Sequence, residues 1–244
     1  MLERKNRNAK VGVNKYYNQY KITHPAYMVV RYAGNEIRKS AQKYFKGKLL
    51  DIGCGAREKA YLVGDTVERY IGLDHNDSSH NLSMVDIIAT AYEIPEPDAS
   101  YDSVLCTAVL EHLEDPEKAL HEAFRLLKPG GYAIYTVPLF WHLHEEPRDF
   151  YRYTKYGLKY LFEKAGFEIV ELKPLSGFWV TFGSEWNYYL ESWCLGFLSY
   201  LVKPVIAVNN IIFFVLDKID QRLHPSSEKW TWMYLVVARK PTKE

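Results

Sequence analysis

The stretch "LLDIGCGAR", residues 49–57, places an aspartate and two glycines directly after a short apolar run. Such a run, ended by a glycine turn, is typical of a buried strand in a parallel sheet. Glycine lets the chain turn sharply and lets a ligand approach the backbone. Doubly wound sheets bind their ligands at the carboxyl ends of the strands. The stretch therefore predicts a ligand site beside Asp51, Gly53, Cys54 and Gly55.

Strand and helix patterns alternate through the rest of the chain. Five further apolar runs are predicted strands: residues 69–75, 101–110, 132–139, 168–175 and 232–240. Three segments are predicted helices: about 13–45 with a break at His24-Pro25, 116–131, and 154–166 with Thr154 as N-cap. This alternation predicts an α/β fold, in which helices cover both faces of a parallel sheet.

Bulk composition limits the classes of partner and compartment. The net charge of +1 at pH 7 gives no electrostatic reason to expect a nucleic-acid partner. The 244 residues contain three cysteines, Cys54, Cys106 and Cys194, without a CxxC pair, which indicates a reduced, cytosolic compartment. The basic first ten residues are not followed by an apolar core, so no secretory signal is predicted.

The residues around the glycines favour one class of cofactor. A dinucleotide site needs G-x-G-x-x-G, but Glu58 stands at the third glycine position. The Asp51 carboxylate would repel a pyrophosphate, whereas it suits a ligand that carries positive charge and ammonium donors. S-adenosylmethionine has both, a sulfonium and an α-amino group. Asp74 ends the next predicted strand, where a carboxylate can accept both ribose hydroxyls.

Together these motifs resemble those of class I S-adenosylmethionine-dependent methyltransferases of the type 11 family. "LLDIGCGAR" resembles the first motif of that family, "IGLDH" the second, and residues 93–138 its fourth and fifth strands. The resemblance covers about residues 48–172. It implies a Rossmann-like, doubly wound, mostly parallel seven-stranded sheet with an N-terminal helical segment and a helical insertion before the last strand. It also implies S-adenosyl-L-methionine as cofactor.

The resemblance implies roles for residues at the first two strand ends. Asp51, Gly53 and Gly55 would line the methionine moiety of the cofactor. Asp74 would hold the ribose hydroxyls, and His75 would pack near the adenine ring.

Further roles fall on residues of the later motifs. Cys106 and Thr107, which end the fourth motif, would face the methionine end and the reacting methyl group. Many relatives bind the adenine amino group with an aspartate, but Thr90 stands at that position here. Thr90, the backbone of Ala91 and Asp86 are the alternatives for this contact.

The chain divides into four predicted parts. Residues 1–46 form an N-terminal helical segment or lid, and residues 47–176 form the cofactor-binding methyltransferase core. Residues 177–230 form an apolar, aromatic-rich helical insertion. Residues 231–244 form the last strand of the sheet and a tail.

The loop "FWHLHEEPRDFYRYT", residues 140–154, is the predicted acceptor site because it follows a strand end on the ligand side of the sheet. His144 is the first choice of general base, His142 the second, and Asp149 an orienting carboxylate. Alternatively, Asp149 and the arginines of the loop form a salt-bridged lid anchor. Similar phrases occur in type 11 enzymes that resemble those of bacterial surface-polysaccharide clusters, which favours a glycan acceptor.

Two other patterns in the chain bear on catalysis. His142 and His144 have no third placed ligand, so no metal site is predicted. Glu111 and His112 fit an acid–base pair, but "EHL" recurs in the resembling family across many substrates. A structural or cofactor-shaping role for this pair is therefore at least as consistent with the sequence.

The apolar run at residues 193–216 is an addition to the plain methyltransferase sheet. Lys203-Pro204 and Asn209-Asn210 interrupt it, so the sequence predicts two shorter helices that meet at Pro204 rather than a spanning helix. Three roles remain open: a cap on the substrate pocket, a peripheral membrane contact, and a homodimer interface. The nearby tryptophans, tyrosines and lysines suit a membrane interface.

The sequence predicts a cytoplasmic methyltransferase, or one peripheral at the inner face of the membrane. Its expected acceptor is small or lipid-linked, with the hydroxyl of a sugar or glycan precursor as first choice. Methylation of a quinone-type phenol or a lipid is the near alternative. A non-catalytic methyltransferase-fold assembly module is the alternative from another class.

Overall fold

The computed structural model describes residues 20–57, 59–78, 80–194, 196, 198–224 and 227–242. Helix α1 spans Tyr27–Tyr44 and begins just after the predicted break at His24-Pro25. Residues 20–26 form turns, in which the His24 ring accepts a hydrogen bond from the Ala26 N–H at 3.0 Å. Residues 13–19 of the predicted N-terminal helix lie outside the described residues.

The centre of the fold is a seven-stranded sheet. Its strands are Gly47–Ile52 (β1), Val67–Asp74 (β2), Ile87–Ile88 (β3), Tyr101–Thr107 (β4), Leu127–Pro138 (β5), Glu168–Pro174 (β6) and Met233–Arg239 (β7). The order across the sheet is β3-β2-β1-β4-β5-β7-β6. Strands β1 to β5 run parallel, and β7 pairs antiparallel with β5 and β6. The predicted mostly parallel, doubly wound sheet is confirmed.

Four further helices cover the sheet and form the insertion. They are Pro116–Leu126 (α2), Lys155–Lys164 (α3), Phe178–Trp193 (α4) and Leu198–Leu223 (α5). Asp115 caps α2 by accepting from the Lys118 N–H, and Thr154 caps α3 as predicted, accepting from the Gly157 N–H at 3.1 Å. One face of the sheet packs on α2 and α3, the other on α1 and α4. Leu50 therefore faces one buried cluster and its neighbour Leu49 the other.

Two predicted boundaries around β4 and β5 are wrong. The helix predicted over residues 116–131 ends at Leu126, since Leu127 already pairs with Tyr101 in β4. The Pro-Gly-Gly sequence lies inside β5, so pairing with a neighbouring strand overrides the local turn signal. The strand predicted over residues 101–110 ends at Thr107, because Ala108 has a φ of 52° that interrupts the strand.

The insertion differs most from its prediction. Pro204 lies inside the single helix α5, which is 26 residues long, and does not separate two helices. It lies in the second turn of α5, where proline removes one backbone hydrogen bond without ending the helix. Within the described residues, Tyr200–Leu223 is a helix long and apolar enough to cross a membrane, by length and composition only. Only 22% of the apolar stretch within this helix is buried in the structure.

Buried polar contacts hold the insertion on the core. Asp217 in α5 is fully buried and accepts a hydrogen bond from the Val180 N–H at 3.1 Å. Asn210 accepts from Asn187 in α4 at 3.0 Å and donates to the Ile22 carbonyl at 2.7 Å. These contacts fix which faces of α4 and α5 point inward, and they leave the remaining apolar faces outward.

Candidate cofactor and acceptor site

A cavity of about 520 Å³ opens at the carboxyl ends of β1, β2 and β4. Its volume is within the range of small-molecule sites. Four segments that follow strand ends contribute to its wall: 52–56, 73–75, 89–92 and 107–109. Residues 145–148 of the loop after β5 also line it. The cavity therefore lies where ligands of doubly wound sheets bind.

Asp74 lies in the wall of the cavity with its carboxylate held in place. It is 4% exposed, one carboxylate oxygen accepts from the Gly55 N–H, and the other accepts from the His75 N–H, both at 2.8 Å. Each carboxylate oxygen has further lone pairs, so both can also accept from a ligand. The arrangement suits two adjacent hydroxyls such as those of a ribose.

Asp51 is buried at the end of β1 and does not line the cavity. The Tyr70 hydroxyl donates to one carboxylate oxygen, and the other oxygen is buried with no hydrogen-bond partner among the described residues. Burial raises the pKa of Asp51 to about 6. A buried carboxylate with an unsatisfied oxygen is a place where a cationic ligand would bring a net gain.

The glycine turn between these acids leaves space that a side chain would fill. Gly53 has a φ of +69°, and a Cβ atom there would lie 2.4 Å from Val109. Gly55 has a φ of +52° and faces His80 across the turn. Glycine is required at Gly53 by both backbone conformation and space. The bare backbone of this turn is part of the cavity wall.

The other predicted cofactor residues divide into two groups. Five of them line the cavity: Cys54, His75, Thr90, Ala91 and Thr107. The remaining two, Cys106 and Asp86, do not. The Cys106 thiol is buried in the core, which raises its pKa well above the usual range. Asp86 pairs with Arg57 at 2.8 Å and accepts from the Gly72 N–H at 2.7 Å. Among the three alternatives for adenine, the geometry therefore favours Thr90 and Ala91.

We expect Asp51→Asn to stabilise the cofactor-free protein above pH 6. The folded pKa of Asp51 lies above the unfolded one, so deprotonation opposes folding, and wild-type stability falls as pH rises from about 4 to about 6. The variant lacks this loss, because an amide does not ionise. The difference in unfolding free energy should grow from near zero at pH 4 to about 2–3 kcal/mol at pH 7. Urea unfolding of both proteins across this range measures it, and a pH-independent difference would contradict it.

The predicted acceptor loop approaches the cavity with only part of its length. Glu145, Glu146, Pro147 and Arg148 line the cavity, whereas His142 and His144 do not. His142 is 3.1 Å from Glu185 in α4 through Nδ1, which turns it toward the insertion.

His144 belongs to a fixed group behind the cavity wall. Asp149 accepts from the His144 N–H at 3.0 Å, and Arg152 donates to both oxygens of Asp149, at 2.7 and 2.8 Å. This guanidinium holds the pKa of Asp149 well below its usual range. Burial lowers the pKa of His144, and the nearby His112 lowers it further. The Asp149–Arg152 salt bridge is therefore present, and beside it His144 is kept neutral near pH 7.

Glu111 and His112 link the His144–Asp149–Arg152 group to the cavity. They form a 3₁₀ turn, Leu110–His112, directly after β4. His112 lines the cavity, and its ring lies 4.7 Å from the His144 ring between centroids. Glu111 is fully buried, which raises its pKa to about 8. The sequence identified this pair without assigning it to the site, since nothing local shows that the later loop folds back onto it.

Residues 50–135 match the family model described as a methyltransferase domain. A probable S-adenosylmethionine-dependent methyltransferase of Mycolicibacterium smegmatis is 38% identical over 96 residues, which are 37% of this chain and 37% of that protein. A ubiquinone biosynthesis O-methyltransferase of Alkalilimnicola ehrlichii is 30% identical over 127 residues, 48% of this chain and 49% of that protein. The chain thus spans half the length or less of these relatives.

A solved structure shares the fold over most of the chain. Phosphoethanolamine N-methyltransferase 2 of Haemonchus contortus, in complex with S-adenosyl-L-methionine, has a TM-score of 0.55 at 18% identity, covering 85% of this chain and 53% of that one. The matched residues 50–135 and the shared fold make this chain similar to the S-adenosylmethionine-dependent methyltransferases. S-adenosylmethionine is the cofactor of that class, and the cavity-lining carboxylate of Asp74 and the open turn at Gly53 fit it.

Proposed function

We propose that this chain is an S-adenosylmethionine-dependent methyltransferase that methylates a hydroxyl group on a small or lipid-linked acceptor. One observation carries the proposal: a single cavity is lined both by Asp74, which suits the ribose, and by His112, which belongs to a histidine–carboxylate cluster. A cofactor site and a group able to receive a proton thus share one space. The hydroxyl of a sugar or glycan precursor is the first choice of acceptor.

Methyl transfer to a hydroxyl needs alignment and removal of one proton. The bound cofactor supplies the methyl group on a sulfonium, which is a good leaving group. The protein holds the acceptor oxygen in line with the methyl carbon, and such alignment contributes about 7–11 kcal/mol. The acceptor oxygen forms the new O–C bond, the C–S bond breaks with its electrons left on sulfur, and the hydroxyl proton leaves. We assign proton removal to the cluster of Glu111, His112 and His144, with Asp149 orienting His144.

The relative from ubiquinone biosynthesis supports a phenolic hydroxyl as the second candidate acceptor. Sugar and phenol acceptors have the same requirement for alignment and proton removal. They differ in what lies around the reacting hydroxyl, a polar ring or an aromatic ring with an apolar tail.

The insertion presents a large apolar face outward, and we infer that it docks on a membrane. Along α5, six residues about half exposed recur at spacings of three and four: Leu201, Val205, Val208, Ile212, Val215 and Ile219. Along α4, five exposed aromatic rings do the same: Phe178, Phe182, Trp186, Tyr189 and Trp193. We call these eleven residues the apolar face. Large exposed apolar patches on soluble proteins commonly mark protein or membrane contacts.

Charge and ring chemistry favour lipid over a second copy as the occupant of the apolar face. Tryptophan and tyrosine are the residues that settle at the headgroup level of bilayers. A second cavity of about 370 Å³ adjoins α5 and is lined by Arg31, Lys39 and Lys218, together with Glu36, whose charge is paired with Lys39 and Lys173. Lys218, whose ammonium group lies over the Phe214 ring of α5, places a positive charge beside the apolar helix, which suits anionic headgroups.

Helix α4, which carries part of the apolar face, also contacts the loop that lines the cavity. In α4, Glu185 binds His142, and Tyr188 packs on Trp141 with ring centroids 5.4 Å apart. Both partners belong to the loop that lines the cavity three residues later. A bilayer contact at α4 would therefore place the cavity mouth near the membrane surface, where a lipid-linked acceptor is found.

Vesicle flotation tests the membrane contact. We expect the wild-type protein to float with vesicles of mixed phosphatidylcholine and phosphatidylglycerol, and the triple variant Leu201→Glu, Val208→Glu, Val215→Glu to lose at least about tenfold in bound fraction. The matched control is Tyr156→Glu, Tyr160→Glu, Val170→Glu, which alters three other exposed apolar positions. Equal flotation of both variants would contradict the assignment. If the wild-type protein does not float but dimerises through the same residues, the apolar face is a homodimer interface.

A further inference from the structure

We propose that Glu111, His112 and His144 bind a divalent transition-metal cation of the Zn²⁺ type at the wall of the cavity. The inference rests on the proposed methyl transfer and specifies how the cluster removes a proton. One potential ligand atom from each of the three residues lies within 4.8 Å of the others. Two imidazoles and one carboxylate form a ligand set that zinc enzymes use with a position left open for substrate.

The two histidines are oriented as metal ligands are. The Nδ1 atom of His112 is 2.6 Å from the Arg148 carbonyl, which fixes the proton on Nδ1 and leaves Nε2 as the lone-pair nitrogen. That Nε2 is buried and has no hydrogen-bond partner among the described residues. The Nδ1 atom of His144 is 3.5 Å from the Asp149 carboxylate, so its Nε2 is the candidate ligand. Carbonyl and carboxylate partners on the outer nitrogen are typical of metal-bound histidines.

Glu111 has a buried carboxylate that lacks a partner. Both of its oxygens are buried and accept no hydrogen bond from another described residue. The nearby guanidinium of Arg152 is engaged by Asp149 and by the carbonyls of Trp141 and His142. Leaving such a group unsatisfied costs folding free energy unless something compensates it. A cation beside Glu111 would supply that compensation and would also satisfy Nε2 of His112.

The spacing requires a small contraction around the ion. Metal–ligand bonds of about 2.0–2.2 Å place tetrahedral ligand atoms about 3.3–3.6 Å apart. The side chains would therefore move together by about 1 Å, which χ rotations can supply. Glu145 lines the cavity, and its carboxylate lies 3.9 Å from Nε2 of His112. It is the candidate fourth ligand, and an acceptor oxygen could displace it from the cavity side.

A cation at this place would change the chemistry available to the cluster. A divalent ion lowers the pKa of an oxygen acid that coordinates it, so the acceptor hydroxyl would lose its proton near neutral pH. The proton passes to solvent, and the acceptor oxygen attacks the methyl carbon as described above. Acceptors with two neighbouring oxygens, such as vicinal diols or catechol-like phenols, would be favoured because they can chelate the ion.

Binding of Co²⁺ and Zn²⁺ to the purified full-length chain tests the proposal without a methyl acceptor. After treatment with a chelator, the protein is titrated with Co²⁺, and visible d–d absorption reports a site with nitrogen and oxygen ligands. Zn²⁺ should then displace the Co²⁺ signal. We expect one equivalent to bind, and Glu111→Gln, His112→Gln and His144→Gln each to weaken binding at least tenfold. His121→Gln is the control, because His121 lies on the exposed side of α2.

The outcomes separate this site from the proposed function. Wild-type protein that binds no Co²⁺, or variants that bind it as well as the control does, would overturn the metal site. If methyl transfer from S-adenosylmethionine persists in that case and in the presence of chelator, the cluster acts as a general base and the proposed function stands. Equal thermal unfolding of wild type and variants without metal would show that lost binding is not misfolding.

Discussion

Asp74→Ala is expected to weaken binding of S-adenosylhomocysteine by about 10²–10⁴-fold. Its carboxylate is held by two backbone N–H groups and lies in the cavity wall, so both oxygens can accept from the ribose hydroxyls. Each hydrogen bond to a charged group contributes about 1.5–3 kcal/mol, and two of them account for the expected range. The product is a good probe because it keeps the ribose and lacks the reactive methyl group. Titration calorimetry measures the change.

Asp77→Asn is the matched control for this experiment. Asp77 also lines the cavity, and its replacement by asparagine removes one negative charge, as the Asp74 variant does. Unlike Asp74, it is exposed and lies three residues beyond the end of β2. The Asp77→Asn protein should bind S-adenosylhomocysteine with an affinity within about threefold of wild type, since exposed charges contribute little. An Asp74→Ala protein that is folded and binds normally would contradict the placement of the ribose.

His112→Gln is expected to lower the rate of methyl transfer by about 10²–10⁴-fold, with cofactor affinity within about threefold of wild type. His112 is the cluster residue that lines the cavity, and its Nε2 has no hydrogen-bond partner among the described residues. Glutamine keeps a polar side chain of similar length but cannot accept a proton near pH 7. His144→Gln should also lower the rate of methyl transfer without changing cofactor affinity. The loss of rate should be smaller than for His112→Gln, since His144 does not line the cavity. The readout is single-turnover transfer of labelled methyl to the acceptor pool.

The control for the histidine variants is His121→Gln, which changes an exposed histidine on another surface. It should leave both transfer and affinity unchanged. A loss of cofactor affinity in His112→Gln equal to its loss of rate would assign the residue to cofactor binding. An unchanged rate would remove the cluster from the chemistry.

Much of the fold could be predicted from the sequence because its signals are local. The run before Gly53 and the acid at Asp74 each lie at the end of a strand, and strand ends of a parallel sheet meet at one edge. Thr154 as an N-cap also depends only on its neighbours. By contrast, the end of α2 at Leu126 depends on pairing between β4 and β5, which no local pattern contains.

The site was harder to predict where distant segments meet. His144 stands in a run of charged residues that draws attention to it. The cavity wall instead includes His112, which is 32 residues earlier and contacts His144 only because the loop folds back. Asp51 is in the predicted motif but does not line the cavity, whereas its neighbour on the strand, Ile52, does. In α5, interrupting residues suggested two helices, but buried contacts of Asn210 and Asp217 hold one continuous helix in place.

The most direct test of the central claim is methyl transfer itself. The purified protein is incubated with methyl-labelled S-adenosylmethionine and a lysate of its host, and label is then measured in lipid, polysaccharide, small-molecule, protein and RNA fractions. We expect label in the lipid or polysaccharide fraction, and we expect it to be lost with the Asp74→Ala protein. Label confined to protein or RNA would contradict the acceptor class. No label in any fraction, from protein that binds S-adenosylhomocysteine, would contradict the enzymatic function.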